Sequence, residues 1–137
     1  CWLEEIALRE SIRNANDQYD EHIVLAYHRV SKLALSKGSS YSSPEQESKH
    51  REFHQSLISA CNSNILLKYC EQLHEQTLRY RNLAAVVQYR EGHEGDEHRV
   101  IRDAVLERKA DLAVDLLTSH YKITAEIVIS SGSLSQT

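Results

Sequence analysis

Residues that bend a backbone are scarce: one proline and four glycines in 137 positions, too few for the turns of an all-β fold. Methionine is absent, and phenylalanine and tryptophan occur once each. No run approaches the ~20 apolar residues of a membrane span, and no signal-peptide pattern is legible. Basic residues are outnumbered 16 to 20, for a formal net charge of −4, so the basic face that a nucleic-acid footprint requires is missing. Cys1, Cys61 and Cys70 are odd in number, and the last two fall in helical stripes, which points to a reducing, cytoplasmic setting. The chain opens Cys1-Trp2 and reads as a fragment of something longer.

What remains is rich in Leu, Ala, Glu, Arg and Gln, at a length that supports one core. The expectation is an all-α fold, an antiparallel bundle of about six helices. The first is expected over Trp2 to Ala15, with Leu3, Ile6, Ala7 and Ile12 inward. Asn16-Asp17 signals a break and an N-cap, and the second helix follows to about Ser36 on a stripe of Tyr19, Ile23, Ala26, Tyr27, Val30, Leu33 and Ala34. Residues 37–43 (KGSSYSS) read as a loop, and Pro44 suits the start of a third helix reaching about Cys61. Asn62-Ser63-Asn64 recaps the chain for a fourth helix built on Leu66, Tyr69, Cys70, Leu73, Thr77 and Tyr80. A second loop covers 91–96, a fifth helix runs from about Glu94 to Lys109, and a sixth from about Asp111 to Ile129. Residues 130–137 read as a frayed tail.

The informative stretch is Lys49 to Ile58, where His50 and His54 share a helical face with Phe53, Leu57, Ile58 and Cys61. Helical phase divides the eight histidines. His98 shares a stripe with Ile101 and Val105, and His120 sits with Ala113, Leu116, Leu117, Thr124 and Val128. His22, His28 and His74 flank their stripes, and His93 lies between glycines in a loop. A single inward histidine is ordinarily a core side chain bonded to a carbonyl or carboxylate. Four on three helices leave two readings open: ordinary core histidines, or a shared divalent cation held through imidazole nitrogen.

Phe53-His54, then Glu97-His98-x-x-Ile101, then Ala110-Asp111 with His120 nine residues on, resemble the C-terminal effector-binding (FCD) domain of the FadR subgroup of GntR-type bacterial transcription regulators. The resemblance extends from Leu8-Arg9 to His120-Tyr121. Residues 1–129 would then form the ligand-binding and dimerisation domain, behind an N-terminal winged helix-turn-helix absent from these residues. It implies a cytoplasmic homodimer that reaches DNA only through that absent module, acts as no enzyme and touches no membrane. The wording of Arg9-Glu10-Ser11-Ile12-Arg13 and of His50 to His54 is most similar to repressors of carboxylate and amino-acid catabolism.

The resemblance also implies ligands. Family members bind metal through Asp-x3-His on one helix and one histidine on each of two later helices. His54, His98 and His120 fall on the histidine positions, and His50 stands where Asp is usual. One divalent transition metal ion per chain is implied, zinc first, with nickel, manganese or iron as alternatives. Four neutral ligands would leave the ion its full +2 and draw an anionic effector, a small carboxylate. Arg9 matches an arginine that faces the family's effector pocket, and a guanidinium forks onto a carboxylate. Tyr80 offers the effector a hydroxyl. Arg13 replaces a usual Glu, and Ala110-Asp111 a usual Gly-Asp whose aspartate can still cap the last helix.

Three rivals are weaker. A di-iron bundle needs Glu-x-x-His pairs, present as Glu47–His50 and Glu71–His74, but also inward glutamates that the first two helices do not supply in phase. His50-Arg-Glu-Phe-His54 displaces Glu52 from the place a zinc protease requires. A purely structural dimerisation bundle would carry its histidines as core.

Overall fold

A computed structural model describes residues 2–36, 44–83 and 94–130, with the side chains of 34–36, 80–83 and 94–95 outside that description. Six α-helices and no strand occur among the described residues: α1 (Trp2–Arg13), α2 (Asp17–Ser36), α3 (Pro44–Leu57), α4 (Asn64–Leu83), α5 (Glu94–Leu106) and α6 (Ala110–Ser130). None is long and apolar enough to cross a membrane. The expected loop at 37–43, any continuation of α4 beyond Leu83 and the tail from 131 on lie outside the described residues.

Local chemistry sets the ends. Asn16 Oδ1 accepts from the Tyr19 N–H at 2.9 Å, and Ser63 Oγ from that of Leu66 at 3.2 Å, so α2 and α4 each start on a side-chain cap. Two helices stop earlier than their apolar pattern suggests. Beyond Leu57 the chain tightens, with the Ile58, Ser59 and Cys61 amides each bonded three residues back, and Asn62 then turns left-handed at φ 59°. At the end of α5, Arg108 adopts φ 60°. Its amide bonds Val105 O and that of Lys109 bonds Ala104 O, the paired bonds of a Schellman cap. Arg108 meets the Asp20 carboxylate at 2.7 and 2.9 Å, which holds a non-glycine residue in that turn.

Side-chain pairs show the directions. Tyr19 donates to Leu57 O at 2.6 Å and Tyr27 sets its ring edge against Phe53 at 5.9 Å, so α2 and α3 run antiparallel. Arg108 on Asp20 and Arg102 over the Tyr27 ring at 4.2 Å make α2 and α5 antiparallel as well. Arg9 on Asp111 and Glu4 on Tyr121 do the same for α1 and α6, while α1 also packs on α4. Leu8, Ile23, Phe53, Leu57, Ile101 and Val105 are fully buried where these helices meet. Each such burial contributes roughly 1.5–3 kcal/mol against an exposed reference.

The expected stripes hold for α2 as far as Leu33 and for α3, α5 and α6, the Ala34 side chain lying outside the described residues, and two details change. Ile6 is exposed rather than inward. On α4 the face is rotated: Tyr69 and Leu73 lie outside at 56% and 49% exposure, and Leu66, Leu67 and Cys70 turn toward the core. The rotation carries His74, expected at the flank, to a largely buried position.

Candidate metal centre

His50 and His54 stand one turn apart on α3, His98 in the first half of α5 and His120 at the middle of α6. All four are buried, and one ring nitrogen from each lies within 4.8 Å of the others. His54 Nε2 is 3.2 Å from His50 Nε2 and 3.3 Å from His98 Nε2. The His120 ring stacks on that of His54 with centroids 5.2 Å apart. Phe53, fully buried, closes one side, its ring 5.0 Å from His98 and 5.7 Å from His54.

Imidazole lone pairs that face each other in a dry interior repel unless a proton or a cation lies between them. Burial first, then the surrounding imidazoles of His50, His98 and His120, hold His54 well below the usual histidine range. At neutral pH it is therefore a nitrogen donor and not a cation. The donor set is all nitrogen, which suits a borderline transition-metal dication and not calcium or magnesium. The cluster could hold a metal ion.

The outer nitrogens of His120 and His54 are hydrogen-bonded as well. His120 Nδ1 meets Glu97 Oε2 at 2.5 Å, leaving Nε2 as its other donor. His54 Nδ1 meets the Tyr121 hydroxyl at 3.0 Å, and that hydroxyl donates to Glu4 Oε1 at 3.1 Å. Burial pushes the Glu4 carboxyl above its ordinary range. Glu47 Oε1 lies 3.9 Å from His50 Nδ1 and 4.0 Å from His74 Nε2. Of these, Glu4, Glu47, Glu97, Tyr121 and His74 are absent from the ligand set expected from sequence.

His50, His54, His98 and His120 are thus brought together as phase suggested, with His22 and His28 exposed and His93 outside the described residues. The two further contacts expected from sequence are Arg9 and Tyr80. Arg9 is half-exposed, its Nε 3.2 Å from Glu5 and its Nη1 2.6 Å from Asp111. Asp111, expected as a cap, sits in the first turn of α6 and spends its carboxylate on Arg9. The Tyr80 side chain lies outside the described residues. A cavity of about 360 Å³ opens beside the cluster between α1, α3 and α4, lined among others by Glu4, His54, Lys68, Cys70 and His74. Burial, with Glu4 adding to it, pushes the Cys70 thiol up to about 11. Glu71, the other half of the second Glu-x-x-His pair, is turned to Arg51 at 2.8 Å, so no di-iron carboxylate pattern forms there.

Six helices thus set four buried imidazoles beside a cavity. The chain belongs to the FCD domain family, whose profile matches residues 1–122. It is similar to the HTH-type transcriptional regulator BphR of Paraburkholderia xenovorans, at 32% identity over 96% of this chain and 55% of that protein. It is also similar to the HTH-type transcriptional repressor GlaR of Escherichia coli, at 26% identity over 86% of this chain and 56% of that protein. The chain therefore spans about half the length of the curated relatives it matches. No solved structure matches it. Both of these relatives are named as HTH-type transcriptional regulators.

Proposed function

We propose that this domain is the sensor unit of a metabolite-responsive cytoplasmic transcription regulator, with one divalent cation, zinc first, held by His50, His54, His98 and His120. The observation that carries the reading is the convergence of one ring nitrogen from each of these histidines within 4.8 Å in a buried site. Four neutral donors leave the dication its full charge, and a small carboxylate is the ligand such a charge draws. Its second oxygen or second carboxylate would take Arg9, displacing Asp111, with Tyr80 as a further donor. The protein acts as a homodimer, and a winged helix-turn-helix preceding this domain reads the operator. The effector shifts the dimer between two arrangements only through its different affinity for each, a coupling of typically ~1–3 kcal/mol.

The test is elemental analysis of the purified domain, paired with a thermal-shift screen of dicarboxylates and hydroxy acids. One ion per chain, lost in His54→Ala and His120→Ala and kept in His22→Ala, is the expected result. A metal-free protein whose melting temperature ignores both chelator and added zinc would leave a structural bundle with core histidines.

A further inference from the structure

His54 differs from His120 in how its outer nitrogen is held. His120 leans on a carboxylate directly, whereas His54 reaches Glu4 through the phenol of Tyr121, at 3.0 and 3.1 Å. The phenol proton goes to the carboxylate, so the phenol oxygen accepts from His54. That network assigns the imidazole proton to Nδ1 and turns the Nε2 lone pair to the cluster. The bonds link three helices, since Glu4 lies on α1, Tyr121 on α6 and His54 on α3. Glu4 and His54 also both line the cavity.

Resting on the reading of the cluster as a cation site, we propose that Tyr121 and Glu4 are positioning residues that lock His54 in its metal-binding tautomer and tie cation occupancy to the start of α1. A cation on Nε2 draws electron density from the ring and makes Nδ1–H a stronger donor. The phenol that receives this bond becomes in turn a stronger donor to Glu4, because hydrogen bonds in a chain polarise one another. The chain tightens with the ion bound and slackens without it. Partners that orient a ligating histidine typically change metal affinity 10–100-fold. By linkage, whatever alters Glu4 from the cavity side alters the centre, and the centre alters Glu4.

The experiment uses zinc as the probe, in competition with a chromophoric chelator, on the wild-type chain and on Tyr121→Phe, Glu4→Ala and Glu4→Gln. Tyr121→Phe weakens zinc binding about tenfold. Glu4→Ala weakens it in the same direction, and Glu4→Gln, which keeps an acceptor for the phenol, recovers most of that loss. Hydrogen exchange supplies a readout that a packing role would not move. Zinc slows exchange of the amides of both α3 and the first half of α1 in the wild type, and Tyr121→Phe keeps the α3 response while losing that of α1. Melting of the metal-free variants checks that each is folded. Wild-type zinc affinity in Tyr121→Phe, or an α1 indifferent to zinc in the wild type, overturns the relay while leaving the cation site standing. A wild-type chain that takes up no zinc overturns both.

Discussion

Glu97 Oε2 lies 2.5 Å from His120 Nδ1, joining the start of α5 to the middle of α6 across the histidine cluster. A carboxylate behind an imidazole fixes the ring, settles which nitrogen carries the proton and makes the other a better donor. Glu97→Gln keeps an acceptor but removes the charge, and Glu97→Ala removes both. Zinc affinity is expected to fall about tenfold in the first and further in the second. Chelator competition measures it. Equal affinities in all three proteins would show that Glu97 is a bystander.

The acid sensitivity of the metal-free domain has a defined sign. His54 is held well below 6.5 in the folded protein by burial and by its imidazole neighbours, and titrates near 6.5 when unfolded. Between the two values the unfolded chain binds more protons, so stability rises with pH there. The contribution is complete above the unfolded value and is lost as pH falls toward the lowered folded one. Melting temperature in chelator should drop from pH 7 to pH 5, and zinc uptake should weaken over the same window, since a protonated imidazole does not coordinate. Scanning fluorimetry across that range reads both. His54→Gln should flatten the chelated profile.

The four inward histidines are legible because each shares a 3.6-residue stripe with large apolar side chains: Phe53 and Leu57, Ile101 and Val105, Leu117 and Val128. Their supporting residues are not. Glu97 sits beside His98 but off the buried stripe, and its partner is 23 residues away on another helix. Glu4 reads as an ordinary first-turn acid facing the helix dipole. Its bond to Tyr121 exists only because α1 and α6 pack together. On α4 the pattern admits two phases. Tyr69 and Leu73 are the more apolar choice, yet Leu67, Cys70 and His74 fit the same period, and the packing selects them. Pattern reports which face is oily, and tertiary contact decides between faces that are nearly equal.

Arg9 separates stability from recognition. Its partner Asp111 is 93% exposed, and such solvated ion pairs contribute little to folding. Arg9→Ala is expected to leave the melting temperature of the ligand-free domain almost unchanged. If the guanidinium receives the effector, the same variant weakens carboxylate binding about tenfold. Asp111→Asn should act in the opposite direction by releasing Arg9. Calorimetric titration of the metal-loaded proteins with the carboxylate found by screening makes the comparison. Unchanged affinity in Arg9→Ala would leave Arg9 a strut between α1 and α6.

The outer face of α4 bears on assembly. Ile65, Tyr69 and Leu73 recur every fourth residue and are 73%, 56% and 49% exposed, a row of large apolar groups turned to solvent. Scattered apolar residues on a surface are ordinary, and a row of them on one helix is where the proposed homodimer would place its contact. A second copy of the chain is the occupant that the homodimer reading assigns to it. A charge placed mid-row loses its hydration on burial, and in a two-fold dimer it is buried twice. Tyr69→Glu is therefore expected to convert the dimer to monomer while the metal content of each chain stays the same. His54→Ala should do the reverse, losing metal while remaining dimeric. Sedimentation velocity and elemental analysis on the same samples separate the two functions, and a Tyr69→Glu protein that stays dimeric would move the interface off α4.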